Sequence, residues 1–133
     1  MDAATRRTVR QRAQDRCEYC HLPQSAQPFV TFLVEHIIAR QHGGTDDPGN
    51  LCLACQRCNA AKGTNLASRD PVTGNVERLF DPRTQEWSEH FGFQGPLIIG
   101  LTAVGRATVE LLNMNERRRV QLRADLQAQG QLS

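Results

Sequence analysis

Between Val34 and Gly63 the chain reads VEHIIARQHGGTDDPGNLCLACQRCNAAKG. This span sets an acid beside an imidazole (Glu35, His36) and adds two side-chain amides (Asn50, Asn59) and a Cys-x2-Cys pair (Cys55, Cys58). A second such pair lies just upstream (Cys17, Cys20). Two chemistries are offered. An x2 spacing lets both sulfurs of a pair reach one ion, and two pairs complete the tetrahedral set that structural zinc takes. The pairs stand 34 residues apart and the fifth cysteine, Cys52, makes the count odd, which points to metal binding rather than a disulfide framework. Cys52 reads as a buried structural thiol. The second chemistry is hydrolytic. An imidazole with its ordinary pKa of about 6.5 is available as a neutral base at pH 7. Carboxylate and amide oxygens are hard donors suited to Mg²⁺ or Mn²⁺, and such an ion polarises a phosphoryl oxygen and steadies a leaving one. A base and a hard cation together suit phosphodiester hydrolysis. Each residue alone also has a plainer role: Glu35 and His36 as strand residues, Asn50 in a turn, Asn59 as a helix cap.

The elements that must position these side chains are short. Residues 5 to 16 (TRRTVRQRAQDR) read as an amphipathic helix with a thin apolar stripe of Val9 and Ala13, needing the first cysteine pair to dock on. Its arginines read as a solvated face, with contact to a nucleic-acid backbone as the other possibility. Phe29 to Ile38 is β-branched and aromatic and predicts a strand. The period of two puts Glu35 and His36 on opposite faces, so they share a site only where the strand bends or ends. Residues 39 to 50 are turn-rich (Gly43-Gly44, Asp47-Pro48, Gly49-Asn50), and residues 51 to 53 form a return strand. Residues 55 to 62 start a short helix with Gly63 at its C-terminal cap. The order is strand, strand, helix. Further on, Val76 to Phe80 and Gly95 to Leu101 read as strands, the latter buried. Trp87, Phe91 and Phe93 supply core, and His90 is structural. Thr102 caps a helix to Leu112. Asn115 caps a last helix to about Gln129, with Val120, Leu122 and Leu126 facing inward.

At 133 residues, 39% apolar and 5% aromatic, the chain supports a modest core of the kind that needs a staple. The expected organisation is a core at residues 1–66 and a C-terminal extension at 67–133 packed on it as one domain. No apolar leader and no membrane-length run is read from the sequence, and unpaired thiols suit a reducing cytoplasm. Net charge is only +2, yet Lys62 is the single lysine among sixteen basic residues; arginine's planar fork suits phosphate.

Taken together, Glu35-His36-Ile37, Gly43-Gly44, Asn50-Leu51 and Cys55-x2-Cys58-Asn59-x2-Lys62 resemble the HNH endonuclease family in its zinc-bound variant, over about residues 6 to 66. The resemblance implies an α+β fold: a small ββα-metal core stapled by Cys17, Cys20, Cys55 and Cys58 around structural zinc, with an N-terminal helix and a C-terminal strand-plus-helices extension. It implies His36 as the general base, Glu35 and Asn59 as ligands of a catalytic Mg²⁺ or Mn²⁺, and Asn50 as a brace of the loop through backbone hydrogen bonds. The partner would be DNA, cut to a 5′ phosphate and a 3′ hydroxyl by a monomer or weak dimer without a small-molecule cofactor. Lys62, His42 and Arg40 are candidate nucleic-acid contacts, and Arg117, Arg118 and Arg119 a further basic patch. The family more often has Asp where Glu35 stands, and Pro where Ala39 stands. A zinc-stapled nucleic-acid-binding module without catalysis is the alternative; it needs the cysteines and arginines but not Glu35, His36 and Asn59.

Overall fold

The computed structural model describes residues 1–132. They divide into two compact units: Met1–Leu66 with Asp81–Thr84, and Ala67–Phe80 with the chain from Gln85 onward. No helix among them is long and apolar enough to cross a membrane.

The first unit is a hairpin with a helix on either side of it in sequence. Helix α1 (Ala3–Arg12) starts at Asp2, whose carboxylate accepts from the Thr5 amide at 2.8 Å, satisfying a donor that the first turn leaves open. It ends four residues sooner than its sequence suggests, because Gln14 and Asp15 turn into the left-handed region, each at φ 54°. Only Val9 on it is buried. Two arginines do the rest of the docking: Arg10 donates to the Phe32 carbonyl at 2.7 Å, and Arg12 to the Leu51 carbonyl at 2.7 Å. These two guanidiniums are therefore engaged with backbone in or next to the strands rather than forming a bare solvated face.

Strands β1 (Leu33–His36) and β2 (Leu51–Ala54) pair antiparallel, with Glu35 opposite Cys52 and His36 opposite Leu51. The predicted ten-residue strand is thus four residues long. Phe29 lies outside it and is 99% exposed, while Phe32 is buried. All of β2 is buried. Helix α2 (Gln56–Lys62) follows directly, and Gly63 closes it at φ 54°, its amide bonded to the Asn59 carbonyl. The ββα order is as expected, and with the strand pairs and helices that follow the chain is α+β.

The second unit holds two more hairpins and three helices. Strands β3 (Ala67–Arg69) and β4 (Val76–Arg78) pair, as do β5 (Phe91–Gln94) and β6 (Leu97–Gly100), with a turn of helix α3 (Trp87–His90) between the pairs. Phe91 packs on Phe80 and Trp87, with ring centroids at 5.1 and 5.2 Å. Thr102 caps α4 (Ala103–Leu111) through the Gly105 amide, as predicted, and its hydroxyl meets His90 Nδ1 at 2.6 Å. Asp70 is buried against Arg106 on α4 at 2.8 Å, and this ion pair, with bonds from the Val72 amide and the Thr73 hydroxyl, holds its carboxyl far below the usual range.

Helix α5 (Arg117–Ala128) departs from expectation. Its cap is Glu116, which accepts from the Arg118 amide; Asn115 instead spends its amide on the Ile98 backbone, at 2.9 and 2.8 Å. The inward stripe is Arg119, Arg123 and Leu126. Arg119 donates to the Leu112 carbonyl at 2.6 Å, and Arg123 to the carbonyls of Pro96 and Met114 at 2.7 Å each. The triplet Arg117-Arg118-Arg119 is therefore not one surface patch, since its third member faces inward and serves the ends of neighbouring elements.

Candidate metal centre and active-site cleft

The four cysteines Cys17, Cys20, Cys55 and Cys58 converge as the spacing requires: all four sulfurs lie within 4.8 Å of one another and are buried. The Cys20 and Cys55 sulfurs are 3.8 Å apart, far beyond a disulfide bond of about 2.05 Å. That distance matches the edge of a tetrahedron whose metal–sulfur bonds are about 2.3 Å. Burial pushes the Cys17 thiol up, and its neighbouring thiols add to the shift, so a cation is what makes four sulfurs in one place favourable. The cluster joins the start of α2 to the loop after α1, where Glu18 takes the Leu53 amide at 2.8 Å and pairs with Arg83.

The hydrolytic candidates Glu35 and His36 line a cleft that takes in Asn59 of α2 and the residues just after the helix. This cleft, of about 440 Å³, is lined by Val34, Glu35, His36, Arg40, Asn59 and Thr64 among others. Glu35 and His36 both line it at the end of β1, which stops at His36. The Ile37 amide still reaches the Asn50 carbonyl at 2.8 Å, and from there Asn50 holds the loop shut. Its Oδ1 accepts from the Ile38 amide at 2.9 Å, and its Nδ2 donates to the carbonyls of Ile38 and Thr45 at 3.0 and 2.9 Å. Gly44 is required at this closure, since a Cβ there would run into the Ile38 carbonyl. Asn50 is thus a brace among backbone groups, as the family resemblance implies.

Glu35 is 6% exposed. Its Oε2 accepts from the Tyr19 hydroxyl at 2.9 Å and the Cys52 thiol at 3.2 Å. Burial, and the nearby Glu35 charge, push both Tyr19 and Cys52 up, which keeps both groups protonated as donors. Cys52 is therefore buried, as expected, but it also supports the acid. Glu35 Oε1 lies 2.7 Å from the Lys62 ammonium and accepts no directed hydrogen bond. Lys62, a candidate nucleic-acid contact or a plain surface lysine by sequence, is 2% exposed and donates to the carbonyls of His36 and Ile37 at 3.3 and 3.0 Å. Its charge is directed inward, which corrects that expectation. The i+3 spacing from Asn59 hid this, because it gives a shared helix face without saying what the face meets.

His36 is half-buried, and its Nε2 lies 2.7 Å from Asp46 Oδ1. Arg40 Nη2 bridges both oxygens of that carboxylate at 2.8 and 2.9 Å. The His36 hydrogen bond, helped by Arg40 and by the Met1 ammonium at 3.4 Å, lowers the Asp46 carboxyl to about 2. Asp46 and Tyr19 are the site residues that the sequence reading missed. Asp46 sat in a run read only as a turn; its signal was an acid placed so that the Gly43-Gly44 reversal carries it back to His36. Tyr19 lies inside the cysteine knuckle, where the spacing draws notice to the cysteines alone. Arg40 is 66% exposed at the cleft. His42 is exposed, bonds the Thr64 carbonyl at 3.1 Å, and does not line the cleft.

Asn59 lines the same cleft as Glu35, half-buried, and among the described residues no hydrogen bond ties up its amide. With Glu35 Oε1 carrying lone-pair capacity beyond its ion pair, the donor set is two hard oxygens. That set fits a hard divalent cation. The Lys62 ammonium offsets the charge of Glu35. In comparison with known proteins, residues 17–65 match the HNH endonuclease family model. No curated protein and no solved structure matches the chain.

Proposed function

We propose, from the HNH endonuclease domain at residues 17–65, that the chain is a metal-dependent endonuclease that hydrolyses DNA phosphodiester bonds. The observation that carries this reading is the cleft itself: an imidazole, a carboxylate and an amide not engaged with the protein line one depression beside a four-cysteine cluster. The cluster would hold structural zinc. Glu35 and Asn59 would hold Mg²⁺ or Mn²⁺, which when bound polarises the phosphoryl group and offsets charge on the departing oxygen.

The protein's own work is positioning and proton transfer. His36 takes a proton from water as the water oxygen bonds to phosphorus, and the 3′ oxygen leaves with the electron pair of the broken bond. Asn50 keeps the loop that frames His36 closed. Arg40, exposed at the rim, is placed to meet a neighbouring phosphate. Tyr19 and Cys52 fix the direction of the Glu35 carboxylate, and Lys62 keeps that buried charge paired. Charge at the cleft is nearly balanced, so substrate and cation would bind together.

One observation favours a second reading. Because Lys62 already neutralises Glu35, the acid can be explained as structural, and the unit as a zinc-stapled nucleic-acid-binding module without catalysis. Supercoiled plasmid separates the two. With Mg²⁺ or Mn²⁺ the parent is expected to relax or linearise it, EDTA to stop the reaction, and His36→Ala to lose cleavage by about 100-fold or more while still binding DNA. A folded, zinc-loaded parent that binds DNA and cuts it in neither metal would support the binding module instead.

A further inference from the structure

We infer that Asp46 is a positioning residue for His36: its carboxylate holds the imidazole as the Nε2–H tautomer, so that Nδ1 is the atom left to take the proton from water. This rests on the reading of His36 as the base. The geometry leaves little choice of tautomer. An ionised carboxylate only accepts, and Asp46 Oδ1 stands 2.7 Å from Nε2, so the ring proton belongs on Nε2. Asp46 stays ionised at neutral pH, and among the described residues nothing bonds Nδ1, which keeps its lone pair available.

The carboxylate is itself held. Arg40 bridges its two oxygens from one side, and the Met1 ammonium lies 3.4 Å from Oδ2. The Gly43-Gly44 reversal and the Asn50 clamp on Thr45 fix the backbone from which Asp46 projects. The arrangement follows the general logic by which a carboxylate orients a base and steadies the imidazolium that forms, without taking the proton. It also gives Arg40 a role that does not depend on nucleic acid.

The test reads the ring directly. Protein labelled with ¹⁵N at histidine is examined at about pH 8, where an ordinary imidazole is neutral. In the parent, the His36 proton is expected on Nε2, shifted downfield and slow to exchange, with Nδ1 bare. In Asp46→Ala that proton signal should be lost to exchange, and kcat for plasmid cleavage should fall about 10- to 100-fold with KM changed little. Arg40→Gln should give a smaller loss of the same kind. A parent His36 protonated on Nδ1 overturns the inference, as does an Asp46→Ala protein that loses the signal yet keeps its kcat. Should Asp46→Ala fail to fold, the tautomer of the parent still decides. A parent that cuts no plasmid but shows the Nε2 proton would count against the nuclease reading and not against this contact.

Discussion

The two units solve the same shortage of apolar material in different ways. In the first, four buried sulfurs and a web of side chains on backbone carbonyls hold elements of four to ten residues. Polar groups are turned inward there to build the cleft: Glu35 against Lys62, Asn50 against Ile38. In the second, an aromatic cluster around Phe91 does the packing, and arginines are turned inward to close the ends of helices and hairpins. Its buried acid, Asp70, faces a partly exposed partner and has two further donors. Buried charge in the first unit therefore frames a place for chemistry; in the second it only fastens elements together.

Disrupting the four-cysteine cluster should break this comparison most sharply. Cys58→Ser, or chelation at neutral pH, is expected to cost the first unit on the order of 10 kcal/mol. Metal content and backbone NMR should report the loss: signals of β1, β2 and α2 collapse while the β5–β6 pair keeps its dispersion. Both sets collapsing together would mean that the second unit depends on the same staple.

The next contrast is between the ion pairs. Lys62→Met leaves Glu35 buried without its counter-charge and should lower stability by about 3–5 kcal/mol in denaturant titrations. Arg106→Met should cost less, because Asp70 keeps the Val72 and Thr73 donors. The acid dependence follows from the direction of the Asp70 shift. Its folded pKa is depressed, so its contribution is fully present above the unfolded value near 4 and is lost as pH falls below that value toward the folded one. Asp70→Asn should flatten the acid limb of the unfolding curve, and an unchanged limb would remove Asp70 from that role.

Smaller effects sharpen the picture. Asn50→Ala removes three hydrogen bonds from the loop and should cost about 1–3 kcal/mol, measured by thermal unfolding. On α5, Arg117→Gln and Arg118→Gln should each stay within about 0.5 kcal/mol, as exposed positions do, whereas Arg119→Gln should cost clearly more. Equal effects at all three would contradict the inward stripe.

These contrasts also mark how far residue types carried the reading. The cysteine pairs, the ββα order and the Gly63 and Thr102 caps were legible, because each rests on local spacing or on one residue's conformational preference, and the bracing Asn50 was legible through the family resemblance. Lys62, Arg119 and Arg123 were not: a long cationic side chain on a helix is usually solvated, and its inward course depends on carbonyls that only the tertiary fold brings near. The same applies to Asp46, whose partner lies ten residues away across a turn. The length of β1 was overestimated because apolar, β-branched residues continue past the point where a pairing partner exists.

The burial of Lys62 has a practical consequence. This chain has one lysine, and its amine is sealed inside the first unit. An amine-directed acylating reagent should leave Lys62 unmodified in the folded protein. Slow labelling at Lys62 would then time the opening of the first unit, without any engineered probe.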